Sequence, residues 1–352
     1  MTPPWRPDKY QKRRPNLIKR QQIIRTVRRY FEAQGFNEVD TPCLQMSPGN
    51  EVHLQAFQTA LRDYHGGADQ TLYLHTSPEF AMKKLLVAGE EKIFQIAHVF
   101  RNGERSSRHH PEFSMMEWYR AHETLEALME DCTALTRAAA KEVGIKEFYA
   151  NGISCDPFAS WEILKIPDAF ARYADIDILA TAPNPHAPDA ELLRSAMAHL
   201  DIRHDAGDSW DDLFFRIMDA KIEPHLGKGR PTFLRDYPIS MAALSKANQD
   251  DPRLAQRFEL YICNLELANA FYELTDPREQ LARFQHDMDL KESLHGERYP
   301  IDMDFIKALE HGMPSSTGIA LGIDRLIMLC CSTENIEEVL WMPVCTDDEK
   351  DS

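Results

Sequence analysis

Long apolar runs are missing from this sequence of 352 residues. None approaches the ~20 residues needed to span a bilayer, so no membrane-spanning helix is expected. The N-terminus is basic but no apolar segment follows it, which excludes a secretory signal and leaves the cytoplasm as the expected compartment. Cysteine is sparse: seven, with no CxxC pair, make neither a disulfide framework nor a zinc site. Cys330 and Cys331 are adjacent in an apolar segment and read as buried thiols. There is no internal repeat. Positive charge is also short, with 40 Lys and Arg against 56 Asp and Glu and a net charge of −16. A protein that grips long stretches of phosphate backbone carries a basic surface, so nucleic acid, tRNA included, is not the expected partner.

The positive charge that exists is concentrated. From Arg6 to Arg29 there are ten Lys or Arg against one Asp8. A solvated helix face and a docking patch for an acidic partner both fit that run. Residues 1–15, with four prolines, read as a leader. Helical periodicity then runs from Asn16, an N-cap candidate, to Gln34, followed by a strand from Phe36 to Thr41. Loops and hairpins are expected over 43–70, and a helix from Pro78 to Ala88. Lys92–Arg101 and Glu112–Ala121 read as strands around a polar loop, with a helix over 123–143. Residues 150–230 read as a mostly helical insert, broken by the proline-rich "TAPNPHAPDA". Two strand-like segments follow, "PTFLRDYP" and "RFELYICNLELANAFYELTD", then helices over 277–295 and after Asp302. "TGIALGIDRLIMLCCS" is a strand or turn running into a helix. Strand pairs adjacent in sequence imply an α+β fold, an antiparallel sheet flanked by helices, with residues 16–352 as one catalytic domain.

Three constellations carry chemistry. Alternation puts Phe113, Met115, Glu117 and Tyr119 on one strand face, and the loop before them holds Arg101, Glu104, Arg105, Arg108, His109 and His110. A basic loop above a sheet suits a triphosphate, because the planar arginine fork pairs with phosphate oxygens. By composition alone a solvated hairpin is the more ordinary reading. In the second, Glu259, Glu266 and Glu273 accompany Asn269 among apolar residues, where carboxylates need a metal or a cation. Mg²⁺ takes one or two carboxylates plus phosphates; an edge strand with a wet acidic face is the other reading. Glu266 has the wrong parity to join Asn269 and Glu273 unless a bulge or turn intervenes near Ala268–Ala270. The third is "GIALGIDR", where glycines permit close approach and Arg325 opens a helix.

Together and in this order these segments resemble the three signature motifs of class II aminoacyl-tRNA synthetases, the lysyl branch above all. The helix and strand ending at Pro42 resemble the dimer-forming motif, "FRNGERSSRHHPEFSMMEWYR" the second, and "GIALGIDRL" the third. The resemblance implies ATP and Mg²⁺ as cofactors and a homodimer. It implies that Arg101 meets the α-phosphate and the substrate carboxylate, that His109 and Arg325 meet the γ-phosphate, and that Phe113 stacks on adenine, with Glu104 a further ATP contact. It places Glu259 and Glu266 at the metal, and Ser77, Glu79, Glu117, Tyr119, Asn269, Glu273 and Ala320 around a bound lysine. The two ammonium groups of that substrate would go to Glu79 at one end and to Glu117 with Glu273 at the other. Gly103, His110 and Ala270 depart from the family pattern.

The first motif begins almost at once, with no room before it for an anticodon-reading OB domain. That arrangement resembles the truncated branch of the lysyl family that modifies translation elongation factor P. Ala320, where lysyl-tRNA synthetases usually have glycine, is associated in the family with a preference for (R)-β-lysine. The implied activity is an ATP-dependent ligase that forms an (R)-β-lysyl adenylate and transfers the acyl group to a lysine ε-amine on elongation factor P. The alternatives are a compact lysine-activating enzyme that charges tRNA and a catalytically inactive regulatory paralogue.

Overall fold

The computed structural model describes residues 3–344. The first part of the chain gives α1 (Pro7–Ala33), β1 (Asn37–Glu38), β2 (Leu44–Gln45), β3 (Phe57–Leu61), β4 (Gln70–Leu74), α2 (Glu79–Val87), β5 (Lys92–Phe100), β6 (Glu112–Ala121) and α3 (Leu125–Glu142). The middle gives β7 (Phe148–Ala150), β8 (Ile153–Cys155), β9 (Glu162–Lys165), α4 (Ile166–Ala174), α5 (Ala190–Ala196) and α6 (Trp210–Ile217). The last part gives β10 (Thr232–Pro238), β11 (Leu254–Ile262), β12 (Leu265–Tyr272), α7 (Pro277–His295), α8 (Met303–Gly312), β13 (Ser316–Gly322) and α9 (Ile323–Cys331). Among the described residues no helix is long and apolar enough to cross a membrane.

Eight strands form one sheet in the order β1-β5-β6-β13-β12-β11-β10-β9. The expected α+β class is correct, but the sheet is mixed. Its inner pairings are antiparallel, while β1–β5 and β9–β10 at the two edges are parallel. β2, β4 and β3 make a small separate sheet.

Strand alternation divides the two faces. From β6, Met116 and Trp118 point into a core built with Ile23, Val27 and Phe31 of α1, Leu128 of α3 and Leu326 of α9. At ~1.5–3 kcal/mol for each large apolar side chain removed from water, this layer carries much of the stability. Asp131 of α3 closes its polar gap, accepting from Trp118 Nε1 (2.9 Å), Arg120 Nε and Nη2 (2.8 Å each) and the Tyr30 hydroxyl (2.6 Å). Phe113, Met115, Glu117 and Tyr119 face the other way, into a cavity.

The N-terminal reading needs correction. The helix starts at Pro7, so residues 7–15 are not a leader and Asn16 lies inside α1 rather than capping it. Pro at the first helical turn costs nothing, because its missing N–H would be unpaired there anyway. The basic run is divided: Arg6, Lys12, Arg14, Arg25 and Arg29 are exposed, while other members turn inward or pair. Arg13 is buried and donates to the carbonyls of Glu337, Leu340 and Pro4. Arg20 is buried against Asp324 and Ser114, while Arg28 and Arg29 pair with Glu38 and Glu142. The apolar face of α1 packs within the chain, so it is not an unpartnered dimer surface.

The 150–230 segment is helical in part and has its own core, with Phe170, Leu193, Trp210, Phe214 and Ile217 against Leu234 and Tyr237 of β10. It also contributes β9 to the main sheet, which helical periodicity did not reveal. Later boundaries follow their caps. Asp276 accepts from the Arg278 and Glu279 amides to open α7 with Pro277 at its first position, and Gly296 closes it at φ 67°. Asp302 accepts from Phe305 N to open α8.

Candidate active site

A cavity of about 770 Å³ lies on the sheet face away from α1. One rung of the sheet runs beneath it: Gln95, Glu117, Ala320, Asn269 and Glu259 stand in register across β5, β6, β13, β12 and β11, and the middle three line the cavity. The next rung holds Tyr119, Gly318, Phe271 and Arg257. Gly318 is required there, since a Cβ would come within 2.2 Å of Tyr119 and 2.3 Å of Glu273.

A β-bulge settles the parity problem of β12. Leu260 pairs with Ala268 and Tyr261 with Glu266, so Leu267 is the extra residue. The bulge falls one residue before the expected stretch and turns Glu266 to the side of Asn269. A turn through Cys263 and Asn264, both at positive φ, makes β11 and β12 a hairpin.

The acidic pocket differs from its expected arrangement. Glu79, Glu117 and Glu273 do not sit at separate ends. They form one cluster, and Lys83 is inside it. Lys83 Nζ lies 2.5 Å from both Glu79 Oε1 and Glu273 Oε2, with no solvent exposure. Burial alone would depress this lysine, but Glu273 and Glu79 outweigh it and raise its pKa. Glu117 accepts from Ser77 Oγ (2.5 Å) and the Tyr119 hydroxyl (3.1 Å). Burial, and then Glu79, push the Glu117 carboxyl up to about 8. Glu273 is likewise raised to about 8 by burial, against the pull of Lys83.

Above the floor is the loop between β5 and β6. Arg101 lies 3.8 Å from Glu104 and 5.3 Å from the centre of the Phe113 ring. Its Nε is buried without a hydrogen-bond partner. An unmet buried donor costs about 1–3 kcal/mol, so this atom is suited to an anionic ligand. Arg325 donates to the Glu266 carbonyl (2.8 Å) and to His109 Nε2 (2.9 Å). Because arginine only donates, His109 Nε2 is the acceptor. His109 is therefore neutral, with Nδ1–H directed to Ser106 Oγ at 2.8 Å. Its pKa is depressed by burial and then by Arg325. Gly103 has φ +80°, a conformation that disfavours any side chain, which explains glycine there. His110 is structural: it is buried and takes Val344 N at 3.1 Å.

Glu266 is pushed up to about 7, by burial first and then by Glu259. Two carboxylates that repel each other suit a cation. Among the described residues no group of three His, Cys, Asp or Glu could hold a metal. Two carboxylates nevertheless fit Mg²⁺ completed by phosphate oxygens. Glu259 is held by Arg257 Nη2 (2.7 Å) and the Tyr261 hydroxyl (2.8 Å).

The cavity thus gathers Ser77, Glu79, Arg101, Glu104, His109, Phe113, Glu117, Tyr119, Glu266, Asn269, Glu273, Ala320 and Arg325, with Glu259 beside it on the Asn269 rung. Sequence reasoning missed Lys83, Arg257 and Glu51. Lys83 had a signal, since it stands one turn after Glu79 on α2. Arg257 shares strand parity with Glu259. Glu51, in an irregular loop, had none.

A mixed sheet carrying a basic loop, an acidic pocket and a third-motif arginine on one face defines a class II synthetase-type site. The family model for class II tRNA synthetases (D, K and N) matches residues 7–346, and the chain belongs to that family. Among curated proteins it is similar to the elongation factor P–(R)-β-lysine ligase of Yersinia enterocolitica, 38% identical over 94% of this chain and 95% of the relative. It is 40% identical to the ligase of the same name from Edwardsiella ictaluri, over 92% and 94% of the two chains. That of Salmonella arizonae is 38% identical, over 93% and 94%.

Proposed function

We propose that this protein is an ATP-dependent ligase that activates (R)-β-lysine as its adenylate and transfers it to the ε-amine of a lysine on translation elongation factor P. The observation that carries the reading is Arg101, its buried Nε unmet, lining the same cavity as the Glu79–Glu117–Glu273 cluster: an anion site beside a cation site, as a diamino acid and a nucleotide together demand. The names of the relatives supply the acyl acceptor and the isomer.

In the first step a carboxylate oxygen of the amino acid attacks the α-phosphorus of ATP. The bond to the bridging oxygen breaks, and pyrophosphate leaves with its electron pair. Arg101 takes the charge on the α-phosphate and orients the attacking carboxylate. His109 and Arg325 hold the leaving pyrophosphate, Phe113 stacks on adenine, and Glu104 lies near the base. Catalysis is by positioning and electrostatics. Mg²⁺, held by Glu259 and Glu266, would neutralise phosphate charge. The side-chain ammonium of the substrate sits by Glu117, Tyr119 and Ser77, with Glu273 and Asn269 beside it and Ala320 as the wall. In the second step an unprotonated protein lysine attacks the acyl carbon, AMP departs, and the nitrogen loses a proton to solvent.

A homodimer in the cytoplasm belongs to the same proposal. Its support is the family and the exposed apolar side chains Ile18, Leu44 and Met46. The activity is tested by the intact mass of elongation factor P after incubation with enzyme, ATP and each lysine isomer. A gain of one lysyl residue, greater with (R)-β-lysine, is expected; no gain with either isomer refutes the reading.

A further inference from the structure

Glu51 stands in the loop between β2 and β3 and reaches into the cavity. The loop is pinned at many points. Lys291 Nζ, fully buried, donates to the carbonyls of Val52 (3.1 Å) and Leu54 (2.7 Å). Thr76 Oγ1 donates to the Pro48 carbonyl (2.9 Å), Asn102 N to the Gln55 carbonyl (2.8 Å), and the Ala56 amide to the Tyr299 hydroxyl (2.9 Å). With the Glu51 carbonyl itself 3.5 Å from the same ammonium, this buried lysine fixes where Glu51 projects.

The Glu51 carboxylate itself makes no hydrogen bond or ion pair among the described residues. Protein surrounds it, yet the cavity leaves it accessible to solvent. Its strongest charged neighbours, in order of influence, are Arg101, Glu79, Arg257 and Glu104, and the Lys291 ammonium acts on it as well. Enclosure raises its pKa, as expected of a carboxylate short of a cationic partner. Glu79, the other acid on that side, already has Lys83 at 2.5 Å.

Resting on the activation reading, we propose that Glu51 binds the substrate ammonium next to the reacting carboxylate, and so selects amino acids with two amines. The chemistry follows from charge. If Arg101 takes the carboxylate and Glu117 the distant ammonium, the near ammonium must lie within a few bonds of Arg101. An unpartnered carboxylate whose foremost charged neighbour is Arg101 meets it there. The pinned backbone makes the selection geometric, since shifting the amine by one carbon moves it relative to a fixed acceptor.

The test compares wild type, Glu51→Gln and Glu51→Asp in amino-acid-dependent ATP–pyrophosphate exchange. The substrates are (R)-β-lysine, α-lysine and 6-aminohexanoate, which keeps the distant amine and lacks the near one. Inhibition constants replace kcat/KM for any compound not turned over. The expected result is a roughly 10- to 100-fold fall in the diamine-to-monoamine ratio for Glu51→Gln, the range for losing a charged hydrogen bond, with partial recovery in Glu51→Asp and an unchanged KM for ATP. Equal losses with all three compounds, or an unchanged ratio, overturn the assignment of Glu51 while leaving activation intact. Wild type with no exchange on either diamine overturns the activation reading, and this inference with it.

Discussion

On the proposed reading Arg101 and Glu117 hold the two ends of the chemistry, and each gives a measurable expectation. Arg101→Ala removes the donor that the proposal assigns to the α-phosphate. Exchange should fall by ~10²–10³, the usual cost of one charge-stabilising donor, with little change in melting temperature, because the side chain's interactions are a 3.8 Å ion pair with Glu104 and a 5.3 Å approach to the Phe113 ring. Exchange within a few-fold of wild type would show that Arg101 lies outside the reaction. Glu117 titrates near 8, so at pH 7 most of it is protonated. The form that holds an ammonium is the ionised one, so binding a cationic amino acid at pH 7 expels a proton. Affinity should rise from pH 7 to about 8, before the substrate's less basic near amine loses its own charge. Calorimetry in buffers of different ionisation enthalpy reads the proton directly; a KM flat over that range would place the substrate ammonium elsewhere.

At the scale of elements, the site depends on register and on one buried tie. β13 lies between β6 and β12, which puts Ala320 between Glu117 and Asn269. Its methyl therefore borders the substrate pocket. Ala320→Gly should move the kcat/KM ratio toward α-lysine by ~1–3 kcal/mol, the scale of one methyl in a pocket; an unchanged ratio in exchange assays would remove Ala320 from specificity. The tie joins α1, β6 and α9. Asp324 accepts from Arg20 and from Ser114 N (2.7 Å), and Arg20 also donates to Ser114 Oγ (2.8 Å). Arg20→Met leaves Asp324 buried without its cation, one residue before Arg325. Such losses cost ~3–5 kcal/mol, which urea unfolding should show, with exchange weakened through Arg325.

For the molecule as a whole, association is the property to measure. A dimer should scatter light as twice 40.5 kDa at micromolar concentration; a monomer with full activity would refute it. The order and type of most elements were legible in the sequence, because hydrophobic period and capping residues are local signals. Asp276, Pro277 and Gly296 bracket α7, and alternation alone put Phe113, Met115, Glu117 and Tyr119 on one face. Motif residues also marked Arg101, His109 and Arg325 as neighbours-to-be. Tertiary structure decided what depends on partners distant in the chain. The basic run looked like surface until Arg13 and Arg20 found carbonyls and a carboxylate more than 300 residues away. β9, four residues long, is a strand only because β10 lies beside it. The acids assigned to opposite ends of a substrate became one cluster around Lys83, since α2 and the residue that follows β12 bring their side chains to the same point. Periodicity fixes which face a side chain takes, whereas the charge it meets there is set by packing between segments that no local pattern relates.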